Sequence, residues 1–368
     1  MINDFKKMLR FDEEVVDYAS EVAENIRKND RPFILFGAGI TGEKVYNYLK
    51  GFGLKPLCFC DNNPLKQGTK IEEIDVYSLA QIKESYNDFI FVVSCDAFLE
   101  ISRQLVSEGF DEKDIYYIEP DWLNSPSGQG EFIRDHLSEF EEAYNLMYDD
   151  KSRRVFTGIL NYRITHSLKY VEGLPDVIPY FDRDLIQMHE NEVFFDCGAF
   201  IGDTLNDFIR ITEGKYKRVI CFEPNIDNVT LLKKTISEKS YENVDVFPCG
   251  LSDKKQTLHF SGSSENGRIK KYGEITIECD TIDNLCYDSV DKVTFIKMDI
   301  EGSEFYALKG AERIIKRDHP KLAICVYHRM DDFYTLTKCI KEIYSGYKLY
   351  FRQYELSGEE TVCFALPK

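Results

Sequence analysis

The fold is decided by the stretch Phe194-Phe-Asp-Cys-Gly-Ala-Phe-Ile-Gly-Asp-Thr204. Its apolar run stops at an acidic residue and turns through Gly198 and Gly202, and a helical pattern begins at Thr204. Glycines in such a turn allow backbone N–H groups to approach a ligand closely, and the positive end of the following helix faces that ligand. The stretch therefore predicts a strand over residues 192–195 that is buried on both faces, a nucleotide-binding loop and a helix.

Acidic residues follow three further apolar runs in the C-terminal half. Glu223 follows the next run along the chain, where a carboxylate can bind both hydroxyls of a ribose. Ser252 and Asp253 end a third run, over residues 244–253, and could accept a hydrogen bond from an adenine amino group. Asp299 ends a fourth run. Because the carboxyl ends of parallel strands meet at one edge of a sheet, these residues predict one ligand-binding crevice.

These motifs resemble the FkbM-type family of S-adenosylmethionine-dependent methyltransferases. The resemblance extends in order from about residue 190 to the C-terminus. The matching motifs are Asp196-Cys-Gly-Ala-Phe-Ile-Gly-Asp-Thr204, Phe222-Glu-Pro224, Gly250-Leu-Ser-Asp253, Thr281-Ile-Asp-Asn-Leu285, Lys297-Met-Asp-Ile-Glu-Gly-Ser-Glu304 and His319-Pro-Lys-Leu-Ala-Ile-Cys-Val-Tyr-His328. The resemblance implies a class I methyltransferase fold, S-adenosylmethionine as the cofactor, and hydroxyl groups on sugars or secondary metabolites as acceptors.

The predicted cofactor-binding residues come from the glycine loop and from the strand ends. They are Asp196, Gly198, Ala199, Gly202, Asp203, Thr204, Glu223, Pro224, Asn225, Ser252, Asp253 and Asp299.

His328 is predicted to be the general base that removes the proton of the acceptor hydroxyl. It ends the apolar run at residues 322–327, and a histidine with an ordinary pKa near 6.5 accepts a proton at neutral pH. Asp299 is the alternative base or the group that orients the acceptor, and Glu301 follows on the same turn as a third candidate catalytic residue. Other interpretations stay open: Asp299 as a helix cap, His328 as a structural hydrogen-bonding group, and a divalent metal held by Asp299 and Glu301. We predict no bound metal.

A second glycine turn lies in the N-terminal half, in Phe36-Gly-Ala-Gly-Ile-Thr-Gly42. It follows an apolar run, precedes a helical pattern, and has Asp61 about 20 residues further on, which is the context of a dinucleotide fingerprint. The stretch Cys60-Asp-Asn-Asn-Pro-Leu-Lys-Gln-Gly68 also resembles nucleotide-binding-like domains of sugar-modifying enzymes. Gly37, Gly39, Gly42 and Asp61 thus form a possible second nucleotide site. Its alternatives are a nucleotide or nucleotide-sugar, NAD, and a tight turn without a ligand.

The predicted fold class is α/β, with two Rossmann-like units joined by a helical connector. The predicted domains are a Rossmann-like nucleotide-binding-like domain over residues 1–120, the connector over 121–190, and the methyltransferase domain over 191–368. The first boundary lies near a breaker cluster at residues 124–130. Helices are predicted over residues 12–28, 131–148, 152–168 and 305–316. In the connector, the candidates for contact with substrate or with the core are Arg154, Arg163, Tyr180 and Phe181.

Composition limits the classes of partner. The chain has 368 residues, 43% of them hydrophobic, and a formal net charge of -18. Binding to nucleic acid or to an anionic membrane surface needs a basic patch, which this charge balance argues against. The 11 cysteines are an odd number with apolar neighbours, as in a reducing compartment, and no apolar run of 18 residues occurs. We expect a cytoplasmic protein with a small-molecule or carbohydrate acceptor, no nucleic acid partner and no membrane span, in which oligomerisation is possible.

Two functions of other classes remain open at this point. One is an oxidoreductase that binds NAD(P) or a nucleotide-sugar at Gly37–Gly42. The other is a non-catalytic binding protein in which both glycine loops are vestigial.

Overall fold

A computed structural model describes residues 2–95, 97–120, 123, 129–176, 178–261, 268–269, 275–356 and 358–368. The chain divides into two compact units of three segments each. Unit 1 comprises Met1–Asp135, Thr157–Pro175 and Glu355–Glu359, and unit 2 comprises His136–Phe156, Asp176–Tyr354 and Glu360–Lys368. The domain boundaries at residues 120 and 190 stay predictions, and residues 124–128 of the breaker cluster lie outside the described residues.

Unit 1 is an α/β structure around one sheet. Its elements are α1 (Ile2–Lys6), α2 (Tyr18–Asn29), β1 (Phe33–Phe36), α3 (Ile40–Gly51), β2 (Phe59–Cys60), β3 (Lys70–Ile71), β4 (Ile74–Tyr77), α4 (Leu79–Ser85), β5 (Ile90–Val93), α5 (Phe98–Ser107), a 3₁₀ turn (Glu112–Asp114), β6 (Ile115–Tyr117) and α6 (Gly130–Asp135). The strand order is β3-β4-β2-β1-β5-β6. All pairs are parallel except β3 with β4. β1 and β5 are buried at every position, as expected for continuous apolar runs in a parallel sheet.

Two elements of unit 1 differ from the sequence prediction. The helix predicted over residues 12–28 begins only at Tyr18, because Asp17 caps it by accepting a hydrogen bond from the Ser20 amide. The helix after the glycine turn begins at Ile40, so Gly42 lies inside its first turn. A Cβ at Gly42 would lie 1.9 Å from the Gly37 carbonyl oxygen, which explains why a glycine is needed there.

Unit 2 contains a seven-stranded and a four-stranded sheet. Its elements are α7 (Leu137–Asn145), α8 (Asp150–Thr165, whose last part belongs to unit 1), β7 (Val193–Cys197), α9 (Asp203–Ile211), β8 (Arg218–Phe222), α10 (Ile226–Glu238), β9 (Val244–Phe247), β10 (Gly250–Leu251), β11 (Gln256–Ser261), β12 (Arg268–Ile269), β13 (Ile275–Asp280), α11 (Ile282–Cys286), β14 (Phe295–Met298), α12 (Glu304–Gly310), α13 (Glu312–Asp318), β15 (Lys321–Cys325), α14 (Asp332–Ile343), β16 (Lys348–Gln353) and β17 (Thr361–Leu366). A 3₁₀ turn, Leu168–Tyr170, follows α8 in unit 1.

The large sheet of unit 2 has the order β16-β17-β15-β14-β7-β8-β9. β17 pairs antiparallel with both β15 and β16, and all other pairs of this sheet are parallel. The central strands β7 and β14 are buried at every position, and aromatic rings such as Phe181, Phe194, Phe208 and Phe295 pack on one another in the core. The predicted α/β fold class, with parallel sheets and helices, is confirmed.

Three further predicted elements are divided in the structure. The helix over 131–148 is interrupted at His136, between α6 and α7. The helix over 305–316 is interrupted at Ala311, next to Gly310, where a Cβ would lie 2.0 Å from the Ser252 carbonyl oxygen. The third is the strand over 244–253. There β9 ends before Pro248, and β10 joins β13 in the small sheet.

Candidate functional site

The site lies at the carboxyl edge of the large sheet, where the chain changes direction. From β7 the chain continues through β8 and β9 on one side, whereas β14 and β15 lie on the other side. Open α/β sheets bind their ligands in the crevice at such a switch point. Gly198 directly follows β7 and Asp299 directly follows β14, so these two residues form the floor of the crevice.

Gly198 allows the two strand ends to approach closely. Its φ is +84°, and a Cβ at this position would lie 1.8 Å from the Asp299 carbonyl oxygen. Gly202 ends the loop with a φ of +95° and precedes α9. A glycine is therefore required at Gly198 by both backbone conformation and space.

The amides of the glycine loop are mostly engaged within the protein. Gly198 and Ala199 both donate to the Phe222 carbonyl oxygen, and Phe200 donates to Glu223 Oε2 at 2.9 Å. We expected backbone N–H groups of this loop to be available to a ligand. The amides of Gly198, Ala199 and Phe200 instead donate to other groups of the protein. The side chains of Phe200 and Ile201 in this loop are exposed.

Asp196 is fully buried beneath this loop, so it would act on a ligand only through its neighbours. The register of β7 and β14 places it opposite Lys297, whose Nζ lies 3.3 Å from Asp196 Oδ1 and donates to the Gly198 carbonyl oxygen at 2.9 Å. Burial raises the pKa of Asp196 to about 6. Burial lowers the pKa of Lys297, but the carboxylates of Asp196 and Asp299 outweigh burial and raise it above its usual value. Lys297 is therefore a buried cation that holds the loop.

Glu223 lies where the sequence predicted a ribose-binding acid, at the end of β8. Its side chain is 6% exposed, and burial raises its pKa despite hydrogen bonds from the protein. Oε2 accepts from the Phe200 amide, while Oε1 accepts from the Asn225 amide at 2.9 Å and from Asn228 Nδ2 at 3.3 Å. A carboxylate has about four acceptor positions and three are used here, so one remains for a hydroxyl donor. The structure thus joins Glu223 to the glycine loop.

The other predicted cofactor residues lie around this loop. Ala199 and Thr204 are buried, and Asp203 is exposed in the first turn of α9. Pro224 is partly buried, and Asn225 caps α10 by accepting from the amides of Asp227 and Asn228. The exposed charged residue at the end of this loop is the acid Asp203, and the buried cation Lys297 is paired with Asp196.

Within the described residues, the side chains of Ser252 and Asp253 form no hydrogen bond with the other predicted site residues. Ser252 follows β10, is buried, and accepts from Gln256 Nε2 at 2.7 Å. Asp253 is exposed beside it. The adenine contacts of both residues stay predictions.

His328 lies among three carboxylates. Its Nε2 is 3.3 Å from Asp299 Oδ1 and 4.0 Å from Glu301 Oε2, and its Nδ1 is 3.1 Å from Glu304 Oε1. The structure thus brings together all three predicted catalytic residues, His328, Asp299 and Glu301. Glu304 is a buried neighbour that also accepts from the Ile300 amide at 2.8 Å.

The pKa of His328 differs from the ordinary value that the sequence analysis assumed. Burial lowers the pKa of His328, but Glu304 and Asp299 outweigh burial and raise the pKa well above its ordinary value. Burial would raise the pKa of Asp299, yet His328, Lys297 and Tyr180 hold it well below its usual range. These carboxylates thus favour the protonated form of His328, and its role as general base stays a prediction that requires loss of this proton.

Asp299, Glu304 and His328 are also close enough to be considered as metal ligands, because one donor atom from each lies within 4.8 Å of the others. However, the two ring nitrogens of His328 face different carboxylates. This is the geometry of an imidazolium with two ion pairs, and we assign no metal to it.

Two tyrosine hydroxyls and the carboxylate of Glu360 lie next to Asp299. The Tyr180 hydroxyl lies 2.8 Å from Asp299 Oδ2 and 3.3 Å from Glu360 Oε2. The Tyr327 hydroxyl lies 3.4 Å from Asp299 Oδ1 and 3.2 Å from Glu360 Oε1. Of these, only Tyr180 was among the sequence candidates. No local motif distinguishes Glu360 from a solvated residue, whereas Lys297 begins one of the matching motifs but had no predicted role.

In the glycine turn of unit 1, the predicted acidic residue Asp61 forms hydrogen bonds within the protein. Asp61 Oδ2 accepts from the Ala38 amide at 2.8 Å, and Lys66 Nζ lies 3.3 Å from the same oxygen. A Cβ at Gly39 would lie 3.3 Å from that Nζ. The structure thus brings Gly37, Gly39, Gly42 and Asp61 into one turn. Occupation of this turn by a nucleotide stays a prediction.

Family models match two parts of the chain. Residues 196–347 match the methyltransferase FkbM domain. The FkbM match covers the glycine loop, Glu223, the Asp299 turn and His328, so it supports a methyltransferase. Residues 29–116 match the N-terminal domain model described as C2185-like.

Solved structures support the fold. The crystal structure of methyltransferase FkbM from Methylobacillus flagellatus KT has a TM-score of 0.65 and 22% sequence identity, and the alignment covers 99% of each chain. This likeness shows that the chain has the fold of that methyltransferase.

Other solved structures are more distant. An rRNA methylase from Streptococcus thermophilus has a TM-score of 0.33 at 13% identity, over 49% of this chain and 89% of that one. Aeropyrum pernix fibrillarin, with natively bound S-adenosyl-L-methionine, has a TM-score of 0.32 at 10% identity, over 50% of this chain and 71% of that one. Scores this low carry no argument. No protein among the curated ones matches the chain. In the part of the chain that the structure describes, every helix is too short or too polar to cross a bilayer.

Proposed function

We propose that this protein is an S-adenosylmethionine-dependent O-methyltransferase that acts on a hydroxyl of a sugar, a nucleotide-linked sugar or a glycan precursor. One observation carries the proposal. The segment that matches the FkbM domain forms a crevice at the switch point of its sheet, with Gly198, Glu223 and Asp299 at the ends of three neighbouring strands.

The residues of this crevice fit the cofactor. A Cβ at Gly198 would overlap the Asp299 carbonyl oxygen, so the crevice floor is kept as narrow as a glycine permits. Glu223 offers a carboxylate for the ribose hydroxyls. Asp203, Glu223, Asp299 and Glu301 give the crevice a negative lining, and the buried cation Lys297 is neutralised by Asp196. When bound, S-adenosylmethionine supplies an activated methyl group on a sulfonium.

The acceptor side is supported by the polar groups around Asp299. Carboxylates and tyrosine hydroxyls bind polyols by accepting and donating hydrogen bonds, and Asp299, Tyr180, Tyr327 and Glu360 offer both. Catalysis then requires these residues to hold an acceptor oxygen in line with the leaving group, which can contribute several kcal/mol. His328 holds Asp299 in place through its Nε2, and its predicted use as the base requires the imidazolium to lose its proton.

The proposal also includes a cytoplasmic location and an N-terminal nucleotide-binding-like domain. The odd number of cysteines and their apolar neighbours support a reducing, cytoplasmic compartment. We place a Rossmann-like, nucleotide-binding-like domain in residues 1–120 and a helical connector in residues 121–190, before the methyltransferase domain.

Substitution of Glu223 tests the cofactor assignment. We expect Glu223→Gln to weaken binding of S-adenosylhomocysteine by about ten- to a hundredfold in calorimetry, because hydrogen bonds to a charged group contribute about 1.5–3 kcal/mol. Asp227→Asn is the matched control, since Asp227 is an exposed acid in the first turn of α10. Asp227→Asn should retain its thermal unfolding midpoint. Glu223→Gln should lower the midpoint but stay folded, because its amide NH2 replaces an oxygen that accepts a hydrogen bond inside the protein.

Two results would contradict these assignments. Unchanged affinity in a folded Glu223→Gln variant would reject ribose binding by Glu223. Absence of any binding of S-adenosylmethionine or S-adenosylhomocysteine to the wild-type protein would reject the cofactor itself.

A further inference from the structure

Two tyrosine hydroxyls bridge two carboxylates in unit 2. Each hydroxyl contacts both Asp299 and Glu360, and the four oxygen–oxygen distances lie between 2.8 and 3.4 Å. The residues come from separate parts of the unit: Tyr180 precedes β7, Asp299 ends β14, Tyr327 follows β15, and Glu360 directly precedes β17. The cluster is therefore a product of the sheet topology.

The number of protons in this cluster is smaller than the number of contacts. Tyr180 and Tyr327 each carry one hydroxyl proton, so two ionised carboxylates would leave two of the four contacts without a hydrogen between the oxygens. Such contacts between lone pairs are unfavourable in a partly buried site. A proton on one carboxyl group converts a third contact into a hydrogen bond.

The surroundings decide which carboxyl group holds this proton. Asp299 faces two cations, the imidazolium of His328 at 3.3 Å and the buried Lys297, and both stabilise its ionised form. Glu360 faces Tyr180, Tyr327 and the negative charge of Asp299, with Lys297 as the attractive charge. Burial and Asp299 together raise the pKa of Glu360 to about 7, although Tyr327, Lys297 and Tyr180 oppose them.

We infer that Tyr180, Tyr327, Asp299 and Glu360 form one proton-sharing cluster, and that Glu360 takes up the proton released by the acceptor hydroxyl. The second part rests on the proposed methyl transfer, whereas the shared proton is a property of the cofactor-free protein.

All bonds and protons of the proposed methyl transfer can be accounted for. The acceptor oxygen forms a bond to the methyl carbon, the carbon–sulfur bond breaks, and its electron pair stays on sulfur as a neutral thioether. Before the step, Glu360 releases the shared proton of the cluster to water. The O–H bond of the acceptor then breaks, and its proton passes to the ionised Glu360, directly or through a tyrosine hydroxyl that gives its own proton to Glu360. Glu360 becomes a neutral carboxylic acid and later returns the proton to water.

Nuclear magnetic resonance of the full-length, cofactor-free protein tests the cluster directly. With glutamate carboxyl carbons labelled, we expect Glu360 and Glu355 to titrate near pH 7, since burial raises the pKa of both to about 7. Glu360→Gln should remove one of these titrations and Glu355→Gln the other. Tyr180→Phe should raise the pKa of Glu360 further, because the Tyr180 hydroxyl lowers it. Titration of Glu360 near the ordinary value of 4.5 would overturn the cluster.

A kinetic test addresses the proton transfer. Formation of S-adenosylhomocysteine from S-adenosylmethionine is measured with a set of methyl hexopyranosides as acceptor probes. We expect Glu360→Gln to lower kcat about a hundredfold or more while its affinity for S-adenosylhomocysteine stays within about threefold of wild type. Glu355→Gln, outside the cluster, should retain the wild-type kcat. Wild-type kcat should fall as the pH drops below about 7, because only the ionised Glu360 accepts a proton, and Glu360→Gln should lack this dependence.

The outcomes separate this inference from the proposed function. A folded Glu360→Gln variant with the wild-type rate and pH profile would overturn the role of Glu360 and leave His328 as the base. If the wild-type protein neither binds the cofactor nor transfers a methyl group, the proposed function and the proton transfer fail together. The carboxyl titrations still decide whether the cluster shares a proton.

Discussion

Gly198→Ala should cost about 2–5 kcal/mol of the free energy of unfolding and abolish binding of S-adenosylhomocysteine. A left-handed backbone costs a non-glycine residue about 1–2 kcal/mol, and overpacking adds about 1–3 kcal/mol. Both apply at Gly198, where φ is +84° and a Cβ would lie 1.8 Å from the Asp299 carbonyl oxygen. The ends of β7 and β14 would have to separate at the crevice floor. Urea unfolding and calorimetry measure the two effects.

Gly214→Ala is the matched control for this substitution. Gly214 has a φ of +72°, close to that of Gly198, but a Cβ there would meet no atom within 4 Å. Its expected cost is the backbone contribution alone, about 1–2 kcal/mol, with cofactor affinity unchanged. Equal losses of stability in the two variants would show that the close approach of the strands at Gly198 does not matter.

Lys297→Met should destabilise the protein by about 3–5 kcal/mol at pH 8, because removal of one partner of a buried ion pair leaves an uncompensated charge. Asp196 and Lys297 are 0% and 2% exposed, so water cannot replace the lost partner. Asp196 would respond by keeping its proton, since burial already raises its pKa to about 6. A carboxyl group with a raised pKa in the folded state binds more protons there than in the unfolded chain, so stability falls as the pH rises towards the folded pKa.

The loss in Lys297→Met should therefore be smaller at pH 5.5 than at pH 8, as measured by urea unfolding at both values. The double variant Lys297→Met/Asp196→Leu removes both charges and should recover most of the stability at pH 8, because a well-packed apolar pair often replaces a buried ion pair without loss. A single variant whose stability does not depend on pH, or a double variant no more stable than the single one, would contradict this account.

The sequence predicted those parts of the site that depend on short motifs. The glycine loop, Glu223 and the Asp299 turn each follow a strand whose apolar run is visible in the sequence, and the rule for strand ends then places them at one edge. The structure brings Glu223 to the loop and Asp299 to His328, as this reasoning expected. The run over residues 244–253 predicts one strand. In the structure β9 ends at Phe247, directly before Pro248, and a proline there is itself a sign of a strand end.

Residues that depend on long-range pairing could not be predicted. Tyr180 and Asp299 are separated by 119 positions, and Asp196 meets Lys297 only because of the register between β7 and β14. The charge of His328 is set by Glu304 and Asp299, which no local pattern reveals. The break between α12 and α13 likewise lies where Gly310 packs against the Ser252 backbone. Such features follow from tertiary contacts, which override local propensity.

The division of the chain into interleaved segments has a consequence for how this protein can be cut or recombined. Ser152 Oγ accepts from the Phe351 amide at 2.9 Å, and Asp149 Oδ2 accepts from Arg352 at 2.8 Å, so unit 2 depends on residues far upstream of its large sheet. Residues 157–175 and 355–359 return to unit 1. A gene fragment that begins at residue 191 would lose the partners of a buried arginine, and one that begins at residue 136 would carry unit 1 segments without their sheet. Recombination between homologous genes within these segments would separate residues that pack in the same unit.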